Sequence, residues 1–385
     1  MPPTARGLAP GPCTGAVAAS HRGYGDGVRV GMRIRYDGGF AQAAEEIGEL
    51  ERAGLQLVSV AEAYGFDAVS QLGYLAAVTD RVELTSGILQ AFTRTPTLTA
   101  MTAAGLDLVS GGRFTLGLGA SGPQVVEGFH GVPYDAPLTR QREIVEICRM
   151  VWRRERLVYD GERYTLPLPP DRGTGLGKPL KLIGTPVRER IPVVIAAIGP
   201  RNVELTAEIA EGWEPAFFVP ERAAEVWGPS LAAGAARRDP ALGPLDVRVG
   251  APCAIGEDLG DLRERGRADL ALYVGGVGAR GRNFYNELAV RYGFGGAAAT
   301  VQDLYLAGRK EEAAAAVPAE LVAATSLVGP RGWVAERLAA LRDAGVTTLV
   351  VSLPQADRAG RLRTVEQLRE LAEDLRPAGL PGAVG

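Results

Sequence analysis

Histidine, cysteine and long apolar runs are scarce in this chain of 385 residues, and each shortage removes a class of function. The two histidines, His21 and His130, stand far apart, as do Cys13, Cys148 and Cys253, so neither a C-x-x-C nor an H-x-x-x-H metal pattern occurs. No run of about eighteen apolar residues is present, which argues against a membrane-spanning helix. We expect reduced thiols, a cytoplasmic location and no structural metal.

Positive charge is not in excess either. The 42 lysines and arginines face 45 aspartates and glutamates, for a net charge of -3. A chain that binds nucleic acid needs a basic face for the phosphate backbone, and this balance offers none. We therefore expect a small-molecule substrate as the partner, with no nucleic acid and no membrane. A second copy of the chain, in a homodimer, is a further expectation.

Residues 1–27 have no hydrophobic periodicity and no apolar centre of a secretion signal, but are rich in Gly, Pro and Ala. We expect them to form a disordered N-terminal extension. Residues 28–385 exceed the usual size of one core, yet a barrel of alternating strands and helices can reach this length as one domain. We expect such a single domain, with insertions around 157–190 and 256–325.

Short apolar runs alternate with amphipathic stretches through most of the chain. The runs predict strands at 28–36, 57–61, 82–89, 191–198, 216–219, 247–255 and 347–353, with another at the start of 113–134. The stretches between them predict helices, and signals such as Pro96 at a start and Gly54 at an end support this. Short strands separated by helices favour a parallel sheet, and about eight of them fit a closed (β/α)8 barrel.

The stretch 113–134, RFTLGLGASGPQVVEGFHGVPY, joins a buried strand to a glycine-rich loop. Gly117, Gly119 and Gly122 permit positive φ and close backbone approach, so we expect this loop to face a ligand. No Lys-Ser or Lys-Thr follows the glycines, which excludes a Walker A loop, and the GxGxxG match lies too far along the chain to open a Rossmann unit cleanly. An ordinary corner between strand and helix is the plainer alternative.

Two later segments point to the mouth of such a barrel. Residues 157–190 are dense in Gly and Pro and too long for a plain connection, so we expect them to pass over the mouth. Gly199 and Pro200 begin a helix over 203–211 beside Arg201. The free N–H groups and positive dipole end of that helix favour an anion such as a phosphate, and a helix start that binds nothing is the alternative.

Three motifs together resemble the bacterial luciferase-like superfamily: RVELTSGILQAFTRTPTLTA, DLVSGGRFTLGLGASGPQVVEGFHGVPY and IPVVIAAIGPRNVELTAEIAEGW. The closer resemblance is to the branch that uses the deazaflavin coenzyme F420 and is related to methylenetetrahydromethanopterin reductase. It covers 28–212 strongly, and SGPQVVEGFHGVP is its most specific part. The resemblance implies a TIM barrel with the coenzyme ring at the C-terminal ends of the strands.

The resemblance also assigns the coenzyme contacts. A bulge in the third strand, often with a non-prolyl cis peptide in this family, would back the central ring, and Gly87-Ile88 is the matching pair. The loop after the fourth strand would pass along the ring edge, and the turn after the fifth would approach the ribityl-phosphate. The implied contact residues are Ser86, Gly87, Ile88, Gly119, Ala120, Ser121, Gly122, Ile198, Gly199, Pro200 and Arg201.

The catalytic candidates depend on a departure from the family pattern. Relatives that oxidise alcohols or sugar phosphates carry an Asp-His pair after the second strand and a Glu after the fourth, whereas Glu62-Ala63 and Pro123 stand here. Because Glu62 ends the second strand beside the expected ring, it is the first candidate for an acid or base, with capping of the next helix as the alternative. The further candidates are Tyr36, Asp37 and Tyr64.

These residues are consistent with three functions. The first is an F420-dependent oxidoreductase that passes a hydride between the deazaflavin and a small or medium organic substrate, as a reductase. The second is a reduced-FMN monooxygenase on the same fold, and the third is a non-catalytic barrel that binds flavin. Oxygen-activating relatives tend to place histidines near the flavin, and no histidine matches here, so hydride transfer is favoured. For His130 a structural and a catalytic role both stay open.

Overall fold

Most of the apolar runs in the chain lie in a sheet of eight parallel strands, which are largely buried and are covered by helices. The structure, a computed structural model, describes residues 27–34, 39–355 and 357–375. The barrel strands are β1 (Arg29–Arg33), β2 (Leu57–Val60), β3 (Glu83–Ser86), β4 (Phe114–Gly119), β5 (Val193–Ala196), β6 (Gly212–Glu214), β7 (Asp246–Ile255) and β8 (Thr348–Ser352).

Each strand is followed by a covering helix. These helices are α1 (Phe40–Arg52), α2 (Ala68–Val78), α3 (Pro96–Val109), α4 (Pro137–Trp152), α5 (Pro200–Ile209), α6 (Gly228–Ala235), α7 (Arg331–Asp343) and α8 (Arg358–Asp374). Asp67 and Thr95 cap α2 and α3 by accepting a backbone N–H two or three residues into the helix, as N-cap residues do. The side chains of Asp67 and Thr95 therefore fix where α2 and α3 begin.

The sheet closes on itself. Neighbouring strands pair in chain order from β1 to β8, and β8 pairs in parallel with β1, where Arg29 lies opposite Thr348 and Met32 opposite Val351. Helices on the outside and strand side chains on the inside share one core cluster. The (β/α)8 TIM barrel predicted from the sequence is confirmed.

The floor of the barrel, at the N-terminal ends of the strands, holds four charged side chains that we call the floor network: Arg29, Glu83, Asp246 and Arg248. Glu83 and Asp246 each contact both arginines, at N–O distances of 2.6 to 2.8 Å. Thr348 donates to Asp246 at 2.8 Å. The opposite end, which we call the mouth, collects the loops that follow the strands, where sites of such barrels lie.

A helical insertion lies between β7 and α7, inside the predicted 256–325 segment. Its helices are Gly260–Ala271, Phe284–Arg291, Gly295–Leu306, Lys310–Ala315 and Ala319–Ala324, with a π-helical turn at Leu272–Gly276. A short strand, Leu327–Gly329, then pairs with the end of β7. Helix Phe284–Arg291 approaches the mouth, because Arg291 donates to the carbonyl of Ile198 just after β5 at 2.9 Å.

The segment 157–190 does not cross the mouth as expected. Its hairpin, Tyr159–Asp160 with Thr165–Leu166, lies along α4, where Glu143 accepts the backbone N–H groups of residues 162–164. Its basic end returns to the floor, because Arg188 binds Asp107 and Arg190 binds Glu211 at 2.9 Å. The buried carboxylate of Glu143 orders this backbone, which composition alone does not reveal.

A smaller difference from the sequence-based elements concerns the sixth strand. The expected strand at 216–219 is a mouth loop in which Phe217 has positive φ, and the strand itself is the shorter β6. Remaining short helical turns are Pro123–Val126, Pro170–Arg172, Pro220–Arg222, Ala223–Val226 and Pro240–Leu242. Within the described ranges, no helix combines the length and apolar character needed to cross a membrane.

Candidate active site

The third strand breaks where the sequence predicted a bulge. Strand β3 ends at Ser86, the Gly87–Ile88 peptide bond is cis, and Leu89–Gln90 resumes pairing with β4. The Ser86 hydroxyl donates to the carbonyl of Gly117 at 2.8 Å and accepts its N–H at 2.9 Å, so it replaces the interrupted ladder. The expected departure from strand geometry is confirmed. The role of these residues in coenzyme binding stays a prediction.

Glycine is required on both sides of this break. A Cβ on Gly117 would lie 1.7 Å from the Ser86 carbonyl oxygen, and one on Gly87 would lie 2.1 Å from the Ser59 hydroxyl. Real Cβ atoms do not approach this closely, so a side chain at Gly117 would push β3 and β4 apart, and one at Gly87 would displace the Ser59 side chain of β2. The bulge therefore depends on Gly117 for the close approach of two backbones and on Gly87 for the room that Ser59 occupies.

The loop after β4 borders the bulge. A Cβ on Gly119 would lie 3.0 Å from the Ile88 side chain, so Ile88 packs directly on this glycine. Ser121 has a φ of 58°, and its carbonyl accepts the Tyr134 hydroxyl at 3.2 Å. Ala120 is buried, whereas a Cβ on Gly122 would meet nothing within 4 Å. The predicted loop residues thus share one edge of the mouth, beside the bulge.

The turn from β5 into α5 completes this edge. Strands β4 and β5 pair directly, with Gly119 opposite Ala196. Gly199 precedes α5 and has open space at its Cβ position, Pro200 is the first helical residue, and Arg201 is exposed. The structure therefore brings the residues of β3, β4 and β5 that were predicted to contact the coenzyme to neighbouring strand ends.

A second cation reaches this turn from the insertion. The Arg291 guanidinium lies 4.7 Å from the Trp227 ring centroid and donates to the Ile198 carbonyl, while its Nη1 is buried without a partner among the described residues. Burial lowers the pKa of Arg291, which is the sign of a cation short of compensating negative charge. No local sequence pattern points to Arg291, because it lies 93 residues from Ile198.

The Glu62 carboxylate binds Arg94 and the first backbone N–H of α2. Arg94 forms a bidentate ion pair with Glu62, with Nη1–Oε1 at 2.5 Å and Nη2–Oε2 at 2.9 Å. The Ala68 N–H donates to Glu62 Oε2 at 3.2 Å. Arg94 also binds Asp67, the cap of α2, at 3.1 Å. The geometry favours the capping alternative for Glu62, and its role as an acid or base stays a prediction.

The other catalytic candidates are not brought together at the mouth. Tyr64 is 67% exposed and its ring centroid lies 6.3 Å from that of Phe129 on the rim. Tyr36 and Asp37 lie outside the described residues. Within the described ranges no group of three His, Cys, Asp or Glu side chains is arranged to hold a metal.

Gln90 is a mouth residue that sequence patterns did not single out. Its side-chain amide donates to the Ala63 carbonyl and lies 3.2 Å from His130 Nε2, while its Oε1 is buried with no partner among the described residues. The buried Ser59 hydroxyl, behind Gly87, is also without a partner in the described part of the chain. Buried polar atoms are normally hydrogen-bonded, so these two mark a place that a polar ligand or water completes.

His130 takes a structural position in this arrangement. The Gln90 amide nitrogen faces both the Ala63 carbonyl and His130 Nε2, so Gln90 connects the His130 ring to the loop after β2. The ring also contacts Phe129 edge-on, with centroids 5.1 Å apart. His130 thus links the loop after β4 to the extension of β3.

One ion pair crosses the interior of the mouth and was also missed. Arg33, the last residue of β1, donates through Nη2 to Glu214, the last residue of β6, at 2.8 Å. We call these two residues the mouth pair. Charged residues at strand ends of this barrel type commonly belong to the site, but their spacing of 181 residues gives no local motif.

The barrel, its bulged third strand and its mouth define a class of enzyme fold, and comparison of the sequence identifies it. The chain matches the model of the luciferase-like monooxygenase family over residues 21–348 and belongs to that family. This confirms the predicted family.

Its relatives include F420-dependent enzymes. A putative coenzyme F420-dependent oxidoreductase of Mycobacterium tuberculosis is 40% identical over 353 residues, which cover 90% of this chain and 98% of the relative. The 5,10-methylenetetrahydromethanopterin reductase of Archaeoglobus fulgidus is 29% identical, over 77% of this chain and 88% of its own.

A solved structure shares the fold. The coenzyme F420 dependent tetrahydromethanopterin reductase from Methanopyrus kandleri superimposes with a TM-score of 0.75 at 22% identity, covering 91% of this chain and all of its own.

Proposed function

We propose that this protein is an F420-dependent oxidoreductase that passes a hydride between the deazaflavin and a small or medium organic substrate, as a reductase. The similarity that carries most weight is the 40% identity, over nearly the full length of both chains, to a protein named as an F420-dependent oxidoreductase. Bound deazaflavin supplies the hydride chemistry, and the protein supplies binding, orientation and protons.

The residues at the mouth fit a flat tricyclic ring. Gly87, Ile88, Gly119 and Gly122 form an edge with no large polar side chain, and the open space at Gly122 lets a ring approach the backbone. The buried Gln90 Oε1 is an acceptor without a partner within the described residues, and a ring N–H of the coenzyme would satisfy it. Ile88 would support the ring from behind through its contact with Gly119.

The coenzyme's phosphate arm fits the turn from β5 to α5. The N–H of Arg201 has no intrahelical partner, as at any helix start, and the Arg201 side chain is exposed beside it. Arg291 adds a partly buried cation that makes no ion pair within the described part of the chain. A phosphate there would receive helix-dipole and guanidinium interactions together.

Paired fluorescence titrations test the coenzyme. We expect F420 to bind with a Kd in the micromolar range or tighter, about 8 kcal/mol, and FMN to bind more weakly. Preference for FMN, together with oxygen consumption when a flavin reductase is added, would replace the proposal with the monooxygenase. Binding of either coenzyme without turnover of any acceptor would favour the non-catalytic barrel.

The phosphate site has its own test. Arg201→Glu should weaken F420 binding about tenfold, because one charge at a helix N-terminus is worth on the order of 1 kcal/mol before repulsion is added. Arg52→Glu is the matched control, since it makes the same charge change on an exposed residue at the far end of α1. Equal affinities for both variants would remove Arg201 from the site.

We also propose that the protein is a homodimer and that it is cytoplasmic. Helices α2 and α3 expose the apolar side chains of Tyr74, Val78, Leu98, Met101, Leu108 and Val109. A monomer rarely leaves so many on adjacent helices, which supports pairing through this face. Sedimentation of the purified protein should show a dimer that the double substitution Met101→Glu and Leu108→Glu dissociates.

A further inference from the structure

At the mouth, the ends of β1, β6 and β7 carry none of the proposed coenzyme contacts. Those contacts come from β3, β4 and β5, whereas the mouth pair spans from β1 to β6 across the barrel interior. The side chain of Arg33 passes over Gly250 of β7, where a Cβ would lie 3.9 Å from Nη2. The mouth pair therefore lies beside β7, on the side of the barrel away from the bulge in β3.

Arg33 keeps unused donors in this space. Its only hydrogen bond in the described structure is from Nη2 to Glu214, its Nε is buried without a partner, and 42% of its side chain is exposed. A guanidinium offers five N–H donors in a fixed plane, so most of them remain for a ligand. Glu214 is nearly covered and balances the charge of Arg33.

Three aromatic rings cluster where the loop after β6 meets the insertion. Phe217, three residues after Glu214, meets Tyr273 and Tyr285 of the insertion at centroid distances of 5.4 and 5.8 Å, and the two tyrosines lie 4.9 Å apart. Buried Asn283 fixes the tyrosines, because it donates to the Tyr273 carbonyl and accepts the Tyr285 N–H. The insertion thus presents a rigid aromatic wall.

The hydroxyl of Tyr285 is a donor without a partner. It makes no hydrogen bond within the described residues, and the nearby charge of Arg33 acts on it. Burial raises the pKa of Tyr285 to about 12, with a further rise from Tyr273 and an opposing effect of Arg33. The phenol therefore stays protonated at neutral pH and can donate to an oxygen beside the guanidinium.

We propose that Arg33, Glu214, Phe217, Tyr273 and Tyr285 form the substrate subsite, and that it takes a planar, conjugated carbonyl compound without net charge. This inference rests on the proposed oxidoreductase function. Arg33 and Tyr285 donate to the carbonyl oxygen, and the aromatic wall covers the conjugated body. Because Glu214 already neutralises Arg33, a neutral carbonyl is favoured over a carboxylate, whose extra charge would face Glu214 in a partly dry space.

Three probes of one shape test the subsite by binding alone. Benzylideneacetone is a neutral conjugated ketone, cinnamate has the same body with a carboxylate, and trans-β-methylstyrene has the same body without oxygen. Saturation-transfer NMR and calorimetry, with and without saturating F420, should show the ketone bound about tenfold more tightly than either of the others, as one or two hydrogen bonds would give. Equal affinity for all three probes would overturn the proposal.

Two variants test whether Tyr285 and Glu214 cause the preference for the ketone. Tyr285→Phe keeps the ring and should weaken the ketone about fivefold while leaving the hydrocarbon unchanged. Glu214→Gln keeps the shape but leaves Arg33 unpaired, so cinnamate should bind about tenfold more tightly than in the parent protein and the preference for the ketone should disappear. Unchanged ketone affinity in Tyr285→Phe, or unchanged cinnamate affinity in a folded Glu214→Gln, would contradict the assignment.

The F420 titration separates this inference from the proposed function. If F420 does not bind but the probes discriminate as expected, the subsite stands and the proposed coenzyme is wrong. If F420 binds and the probes do not discriminate, with or without it, the coenzyme assignment stands and the subsite is wrong. Melting curves of both variants, compared with the parent protein, verify that each is folded.

Discussion

The two ends of the barrel interior use the same kinds of side chain for different purposes. In the floor network each carboxylate contacts two arginines, and Asp246 also accepts from Thr347 and Thr348. At the mouth, Arg33 and Glu214 share one contact, and Arg33 Nε has no partner among the described residues. Most of the hydrogen-bonding capacity is used within the floor, where Arg248 Nη1 is buried without a partner among the described residues, and more of it is left available at the mouth, where a single ion-pair contact holds a partly exposed Arg33.

This difference indicates what each end can do. A buried charge whose partners all come from the protein fixes the fold, but it has nothing to offer a ligand. Partly filled hydrogen-bonding groups in a concave space cost stability and are retained where a ligand completes them. The comparison predicts that substitutions at the floor change stability and that matched substitutions at the mouth change binding.

The largest effect should come from removing a floor arginine. Arg248→Met leaves Glu83 and Asp246 buried with one partner fewer each, so we expect a loss of about 3–5 kcal/mol in the free energy of unfolding. Arg33→Met is the matched control at the mouth and should cost less, about 1–2 kcal/mol, because it breaks one contact and the Arg33 side chain is 42% exposed, although Glu214 is nearly covered. Urea unfolding of both variants measures this, and equal losses would contradict the distinction.

The next effect compares two glycines. Gly117→Ala would place a Cβ 1.7 Å from the Ser86 carbonyl oxygen, whereas Gly199 has open space and a φ of -69° that alanine adopts. We expect Gly117→Ala to lower the free energy of unfolding by about 3 kcal/mol or more, and Gly199→Ala to leave it nearly unchanged. Thermal melting should show a large drop for the first variant alone. A stable Gly117→Ala would mean that the bulge is more adaptable than its contacts indicate.

The floor network also predicts a dependence on pH. Burial disfavours the charged carboxylates of Glu83 and Asp246, but the charges of Arg248 and Arg29 outweigh it and hold both pKa values well below the usual range. The folded state then keeps these groups ionised while the unfolded chain binds protons near its ordinary pKa of about 4, so stability falls as pH drops below that value.

The slope of the free energy of unfolding against pH can be measured. Each such group should contribute about 1.4 kcal/mol of lost stability per pH unit between about pH 4 and its folded pKa, and little above pH 5. Glu83→Gln should be less stable at pH 7 and lose less on acidification. Urea unfolding at pH 3 to 7 tests this, and parallel curves for the two proteins would assign the acid sensitivity to other groups.

The sequence predicted the fold well because short, fully buried strands are continuous apolar runs. The exception is instructive: β6 is Gly212–Glu214, too short and too polar to be recognised, while the apolar run at 216–219 is the mouth loop that carries Phe217. Phe217 packs against Tyr273 and Tyr285 of the insertion, whereas Phe218 packs against Trp213 of β6. A pattern of hydrophobicity does not distinguish these two kinds of burial.

The site was predicted in part, for a physical reason. The bulge at Gly87–Ile88 and the glycine loop are local features of backbone, so motifs revealed them. Arg33, Glu214 and Arg291 become neighbours of the site only when the barrel closes and the insertion folds over it. Their partners lie 181 and 93 residues away, beyond the reach of any local pattern.

The smallest expected effect concerns Glu62. This residue lies at the mouth, but both of its carboxylate oxygens already have hydrogen-bond donors from the protein, as the carboxylates of the floor network do. A general acid or base contributes about 10²–10⁴-fold to a rate, whereas a carboxylate that only positions the start of α2 contributes far less. We expect Glu62→Gln to lower turnover less than about tenfold and stability by about 1 kcal/mol. Arg94→Met should do the same, because it breaks the same ion pair from the other side. A loss of a hundredfold or more in Glu62→Gln, with Arg94→Met near the parent rate, would instead make Glu62 the proton donor or acceptor.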